Sequence, residues 1–179
     1  MATTTGSAVN WCPSVRIIIQ QCLSARLQVQ PPTETEDERW VEISRGIVIY
    51  LCFLKGSNLD IIPKVVKSIL NVRLSETTGQ PRNVSVLELP GDVLIVPQAT
   101  LGGKMKGCAS KKRNLPKTSL LSLPPLMHLF LSFLSLETVQ ANSTNLPDSP
   151  PKKVKHGTYG NRQVLNVETN GPFTHVFDF

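Results

Sequence analysis

The chain has little of what many catalytic sites are built from. Its four cysteines, at positions 12, 22, 52 and 108, form no Cys-x-x-Cys pair, and histidines number three, so neither a metal centre nor a cofactor is expected. No His-Ser-Asp set stands out. Gly102-Gly103 lacks the Gly-x-x-x-x-Gly-Lys-Ser/Thr spacing of a phosphate loop. Residues 1–14 hold no basic stretch and no long apolar core, so no secretory leader is expected there. The expected compartment is therefore cytoplasmic, without disulfides. Cys22 and Cys52 lie in apolar runs and read as small buried hydrophobes. Acidic residues are absent from 101 to 136, a gap that returns below.

What is present suits one folded domain with a polyanionic partner. A length of 179 residues is enough for a single core. The net charge of +6 favours a nucleic-acid partner without proving one. Residues 15–29 start β-branched and read as a strand that bends near Cys22. Residues 30–39 are an acidic, proline-bearing loop, and 40–43 a short strand. Residues 46–54 are almost wholly apolar, the pattern of a central strand buried on both faces. Asn58 or Asp60 can cap a helix with Pro63 in its first turn and Ile62, Val65, Val66, Ile69 and Leu70 on one face. Strands are predicted at 84–87 and 93–96, and a final hairpin from 164–167 and 173–177. Strands with one clear helix and no regular βα alternation predict an α+β fold.

Two polar pieces adjoin apolar, β-branched runs. Pro97-Gln98-Ala99-Thr100-Leu101 follows one, and Thr169-Asn170-Gly171-Pro172-Phe173-Thr174-His175 lies between two others. Both read as strand ends, where backbone amides and small side chains can face a ligand. Gln98 and Thr100 alternate, so they point to one side, and both can donate and accept hydrogen bonds. A plain polar exit from a strand, and an ordinary Gly-Pro turn, are the alternatives.

The pair resembles the two signature motifs of the D-aminoacyl-tRNA deacylase family, Ser-Gln-Phe-Thr-Leu and Asn-x-Gly-Pro-Val-Thr. Pro97 stands for the Ser, Ala99 for the Phe and Phe173 for the Val. Those departures resemble the animal branch of the family. The resemblance covers residues 14–107 and 154–179.

The resemblance implies a small β-barrel-like sheet with helices packed outside, working as a homodimer. It implies hydrolysis of an aminoacyl-tRNA ester. Main-chain groups hold the aminoacyl moiety and the terminal ribose 2′-OH assists, so no strong protein base is needed. Gln98, Ala99 and Thr100 become the catalytic motif. Pro97, Leu101, Asn170, Gly171 and Pro172 become substrate-binding. Gly171-Pro172 would reach across the dimer to screen chirality, strictly when cis and less so when trans; Ala99 and Phe173 favour trans. The substrates implied are D-aminoacyl-tRNA and L-alanine misattached to threonine tRNA. Lys104, Lys106 and Lys155, with Lys152, Lys153 and His156, are candidates for tRNA phosphates, or else a solvated charge run. Tyr159 could stack on a base or pack in a hairpin. The two motifs are expected to meet at one pocket across a two-fold interface.

The segment 108–153 departs from the family. Residues 118–136 carry no charge, where the family has an acidic amphipathic helix. Three readings stand. One is a membrane span, opposed by Pro124-Pro125. Another is a family element of changed sequence. The third is an alternative exon or shifted reading frame, which best accounts for the loss of carboxylates. The expectation is a domain over 14–179 interrupted by a divergent or disordered 108–153, after a flexible 1–13, with no membrane span. If that interruption breaks the site, the chain becomes a non-catalytic RNA-binding or dimerising protein.

Overall fold

The computed structural model describes residues 12–76, 81–89, 91–106, 109–111, 117–144, 151–159 and 163–179, with backbone alone for 104–106, 109–111, 117–123 and 141–144. β1 (Val15–Cys22) runs through the exposed Leu23 into β2 (Ser24–Gln30), so the apolar stretch bends where the sequence suggests. β3 (Arg39–Ile43) returns beside β2. β4 (Gly46–Phe53) is buried on both faces: Ile47, Ile49, Leu51 and Phe53 enter one core, and Val48 enters another. Asn58 accepts a hydrogen bond from the Ile61 amide, and α1 (Ile62–Asn71) follows with its five expected apolar residues buried.

β5 (Arg73–Ser75) pairs with a short β6 (Val84–Ser85); the strand expected over 84–87 turns away after two residues. β7 (Asp92–Pro97) lies parallel to β4. β8 (Lys104–Lys106) and β9 (Ala109–Lys111) form a small hairpin. Then come α2 (Lys117–Thr144), β10 (Val154–His156), β11 (Leu165–Glu168) and β12 (Thr174–Asp178).

The larger sheet has the order β10-β7-β4-β1-β12, and a second has the order β11-β2-β3. Neither closes on itself, so the fold is α+β with open sheets rather than a barrel. β11 and β12 are not the expected hairpin. The long strand that bends at Leu23 carries β12 along its first half and β11 along its second, so the two fall in different sheets. Helices α1 and α2 cover one face of the larger sheet. The smaller sheet covers part of the other through Cys22, Ala25, Leu27, Val29, Ile43, Val48 and Leu94.

The segment 108–153, expected to be a divergent or disordered interruption, instead adds α2 to the core within its described residues. Leu126, Phe130 and Leu134 recur every four residues and are buried at 3%, 0% and 0% exposure. Phe130 meets Phe53 edge to face, 6.4 Å between ring centres. A mid-helix proline costs about 3 kcal/mol. Burying three large apolar side chains returns about 1.5–3 kcal/mol each, which is on the scale of the combined cost of Pro124 and Pro125, both facing solvent. The stripe was hidden because leucines also fill the flanks, leaving almost no amphipathic contrast. Phe130→Ala should cost about 3–5 kcal/mol in denaturant melts. A loss under about 1 kcal/mol would return the segment to the surface. No described helix is long and apolar enough to cross a membrane.

Candidate active site

Three parallel strands, β10, β7 and β4, end on one rim of the larger sheet. β1 begins there and β12 finishes there, because Arg16 sits opposite Asp178 and Val15 opposite Phe53. Ligands of open sheets commonly bind beyond the carboxyl ends of parallel strands. This rim carries the first motif.

Pro97 closes β7 opposite Leu51. The Gln98 amide still bonds the Leu51 carbonyl at 2.8 Å, and the chain then tightens into a 3-10 turn over Ala99–Gly102. The motif is therefore a turn and not a continued strand. Gln98 and Thr100 nonetheless share a side: Gln98 Nε2 donates to Thr100 Oγ1 at 3.1 Å. Within the turn, Leu101 N–H bonds the Gln98 carbonyl at 3.3 Å, and Gly103 N–H bonds the Thr100 carbonyl at 3.0 Å. The amides of Ala99 and Thr100 have no backbone partner among the described residues. Two adjacent donors are thus left on a rim that can admit a ligand.

Two residues that the motif search missed hold this turn. Arg16 pairs with Asp178 through Nε–Oδ1 at 2.7 Å and Nη2–Oδ2 at 2.8 Å, and reaches the Leu101 carbonyl at 3.4 Å. The hydrogen bond from Arg16 holds the Asp178 carboxyl below its usual range. Cys52 lies beneath the turn: its thiol points at the Ala99 carbonyl at 3.7 Å. Burial pushes this thiol up, and pushes Cys22 up to about 11. Arg16 and Asp178 are 162 positions apart, a pairing no local signal announces.

The second motif does not join the first within one chain. The Gly171 carbonyl accepts from Gln20 Nε2 at 3.4 Å, and Gln21 N–H bonds the Phe173 carbonyl at 3.3 Å. Gln20 and Arg16 are four residues apart on β1, about 13 Å at the usual strand rise. Asn170, Gly171 and Pro172 therefore lie towards the opposite rim. Thr169 Oγ1 brackets Gly171, accepting from its amide at 3.3 Å and donating to its carbonyl at 3.0 Å. The Gly171–Pro172 peptide is trans.

The basic candidates separate. Lys155, Lys153 and His156 are exposed at the β10 edge. Lys152 is instead buried, and its ammonium donates to the Leu87 carbonyl, so it is withdrawn from the phosphate candidates. Burial lowers its pKa. Lys104 and Lys106 are described in backbone only. Tyr159 follows β10 onto the first motif's rim and is 39% exposed. Among the described residues, no group of three His, Cys, Asp or Glu could hold a metal ion.

The rim thus presents the main-chain donors of Ala99 and Thr100 beside the Arg16–Asp178 pair. The sequence profile described as D-Tyr-tRNA(Tyr) deacylase matches residues 18–178, and the chain belongs to that family. It is 50% identical to D-aminoacyl-tRNA deacylase 2 of Danio rerio over 164 residues, 92% of this chain and 98% of that protein. It is 45% identical to D-aminoacyl-tRNA deacylase 2 of Homo sapiens over 167 residues, 93% and 96% of the two chains. The solved structure of a probable eukaryotic D-amino acid tRNA deacylase superposes with TM-score 0.69 and 29% identity, covering 92% of this chain and 99% of that one. A c-Myc DNA unwinding element binding protein shares the fold, with TM-score 0.66 and 21% identity. The family likeness thus runs through 108–153, where the motifs alone suggested a gap.

Proposed function

We propose that this chain is an aminoacyl-tRNA deacylase that hydrolyses the ester of mischarged tRNA in the cytosol. It removes D-amino acids, and L-alanine from threonine tRNA. The observation that carries the reading is the pair of unpartnered amides at Ala99 and Thr100 on the rim where three strands end. An aminoacyl ester is already activated. Its carbonyl oxygen, negative in the tetrahedral intermediate, is stabilised by these donors, while water attacks with help from the vicinal 2′-OH. Gln98 and Thr100 are held by each other and by the turn. Pro97 and Leu101 frame it, and no metal or cofactor is required.

The active form is a homodimer in which Asn170-Gly171-Pro172 of one copy covers the turn of the other. Two observations support this. The motifs lie towards opposite rims of one chain. Also, a row of apolar side chains crosses the sheet in register at Val176, Ile18, Tyr50 and Val96, with Val176 60% exposed. Lys155, Lys104 and Lys106 contribute phosphate contacts, and Tyr159 offers an exposed ring to a base.

Single-turnover hydrolysis of D-Tyr-tRNA and L-Ala-tRNA(Thr) by the purified protein tests the reading; no turnover of either would sink it. Thr100→Ala should cost less than about tenfold, since the amide remains. A dead Thr100→Ala enzyme with a trapped acyl group would mean a hydroxyl nucleophile instead. Gly171→Ala should cost about 100-fold, because in the dimer its Cβ would intrude on the partner's ester; within its own chain it meets only the exposed Phe173 ring, 2.9 Å from Cε2, which can turn aside. A fully active Gly171→Ala enzyme would remove the second motif from the site.

A further inference from the structure

Beside the Ala99–Gly102 turn lies a cleft of about 450 Å³, a volume suited to a small ligand. Its inner wall is Gly102 and Gly103, and its outer wall is the β-turn after β4. Leu54 and Pro13 give it apolar surface, and Lys55 and Arg16 are its cations. Arg16 is engaged by Asp178. Lys55 is exposed and forms no ion pair among the described residues.

The turn that presents Lys55 is held in place. Leu54 N–H bonds the Ser14 carbonyl at 2.7 Å, and Ser57 N–H bonds the Leu54 carbonyl at 3.2 Å. The Ser57 hydroxyl contacts both of those carbonyls. Gly56 supplies the left-handed conformation, φ 95°, that the turn needs. Cleft and motif are joined directly: a Cβ on Gly102 would fall 3.0 Å from Leu54 Cδ2 and 3.4 Å from Cys52 Sγ. The lining thus supplies both apolar surface and cations, continuous with the turn proposed to bind the reacting ester.

We propose that this cleft binds the nucleotide preceding the esterified adenosine, its base against Pro13 and Leu54 and its phosphodiester on Lys55. The inference rests on the deacylase reading and adds a subsite to it. A nucleotide fits because it combines a flat apolar ring with one anionic group, the two chemistries the walls supply. An uncharged ligand would leave Lys55 without a role.

The test compares the same D-aminoacyl ester on adenosine, on the dinucleotide cytidylyl-adenosine and on intact tRNA. The native protein should hydrolyse the dinucleotide ester with kcat/KM about tenfold above the adenosine ester, the scale of one charge-assisted phosphate contact. Lys55→Ala should erase that gain. It should also lower the log–log salt slope for intact tRNA by about 0.7, the share of one single-strand phosphate. Lys64→Ala, an equal charge loss on α1, should leave the gain in place. Two results overturn the subsite while the activity stands: a native protein that gains nothing from the added phosphodiester, or a Lys55→Ala protein that loses equally on both short esters. A native protein inert towards all three esters overturns subsite and activity together.

Discussion

Ala99→Pro should slow ester hydrolysis by about 100- to 1,000-fold, the loss seen when one oxyanion donor is removed, while leaving the fold intact. Proline deletes one backbone N–H and nothing else that the turn uses, because the Ala99 amide has no backbone partner. Gln98, which would precede the proline, is already extended at φ −138° and ψ 90°, outside the helical region that a following proline disfavours. The melting temperature should therefore move by only a few degrees, about 1 kcal/mol or less. A variant with native activity would mean that the Ala99 amide does not face the ester. The same variant tests the dimer. Mixed with Gly171→Ala after subunit exchange, it forms hybrids in which one site carries both lesions and the other carries none. Half of the dimers are hybrids, so activity should return to about one quarter of native. If both motifs acted within one chain, mixing would restore nothing.

Gly46→Ala should abolish cooperative folding. A Cβ at Gly46 would fall 1.9 Å from the Asp92 carbonyl oxygen, 2.6 Å from its nitrogen and 2.7 Å from its carbonyl carbon. Those atoms cannot retreat. Asp92 N–H bonds the Arg45 carbonyl at 3.0 Å, and its carboxylate accepts the amides of Ser44 at 2.9 Å and Lys153 at 2.8 Å. One residue thus ties the start of β4, the start of β7 and the approach to β10. Overpacking against backbone pinned on three sides should meet or exceed the usual upper cost of about 3 kcal/mol. Gly56→Ala is the contrast. No heavy atom lies within 4 Å of its added Cβ, so it should cost only about 1 kcal/mol, from backbone strain. Thermal unfolding of both variants checks the pair; a Gly46→Ala protein that melts like the native chain would mean β4 and β7 are not so closely held.

The buried strand at β4 and the capped helix α1 were legible because their patterns are local. Eight nearly unbroken apolar residues leave no polar face, and Asn58 with Pro63 marks a helix start. α2 was not legible. Its core stripe of Leu126, Phe130 and Leu134 hides among leucines at 129 and 131, so the helical period is blurred. The split of β11 and β12 between two sheets was invisible for another reason. It depends on a bend at Leu23, more than 140 positions away in sequence.

By itself, the sequence determined the class of element at most positions, the two motifs and the family they resemble. Those are short-range properties, carried by side-chain periodicity and by a few residues in a row. Only the tertiary structure decided that the Ala99–Gly102 turn keeps two amides unpartnered and that Arg16 and Cys52 hold it. It also decided that Gly171 lies some four strand residues from that turn. The reason is physical: hydrogen-bond satisfaction and distance across a sheet depend on which strands become neighbours, and strand pairing is a long-range choice.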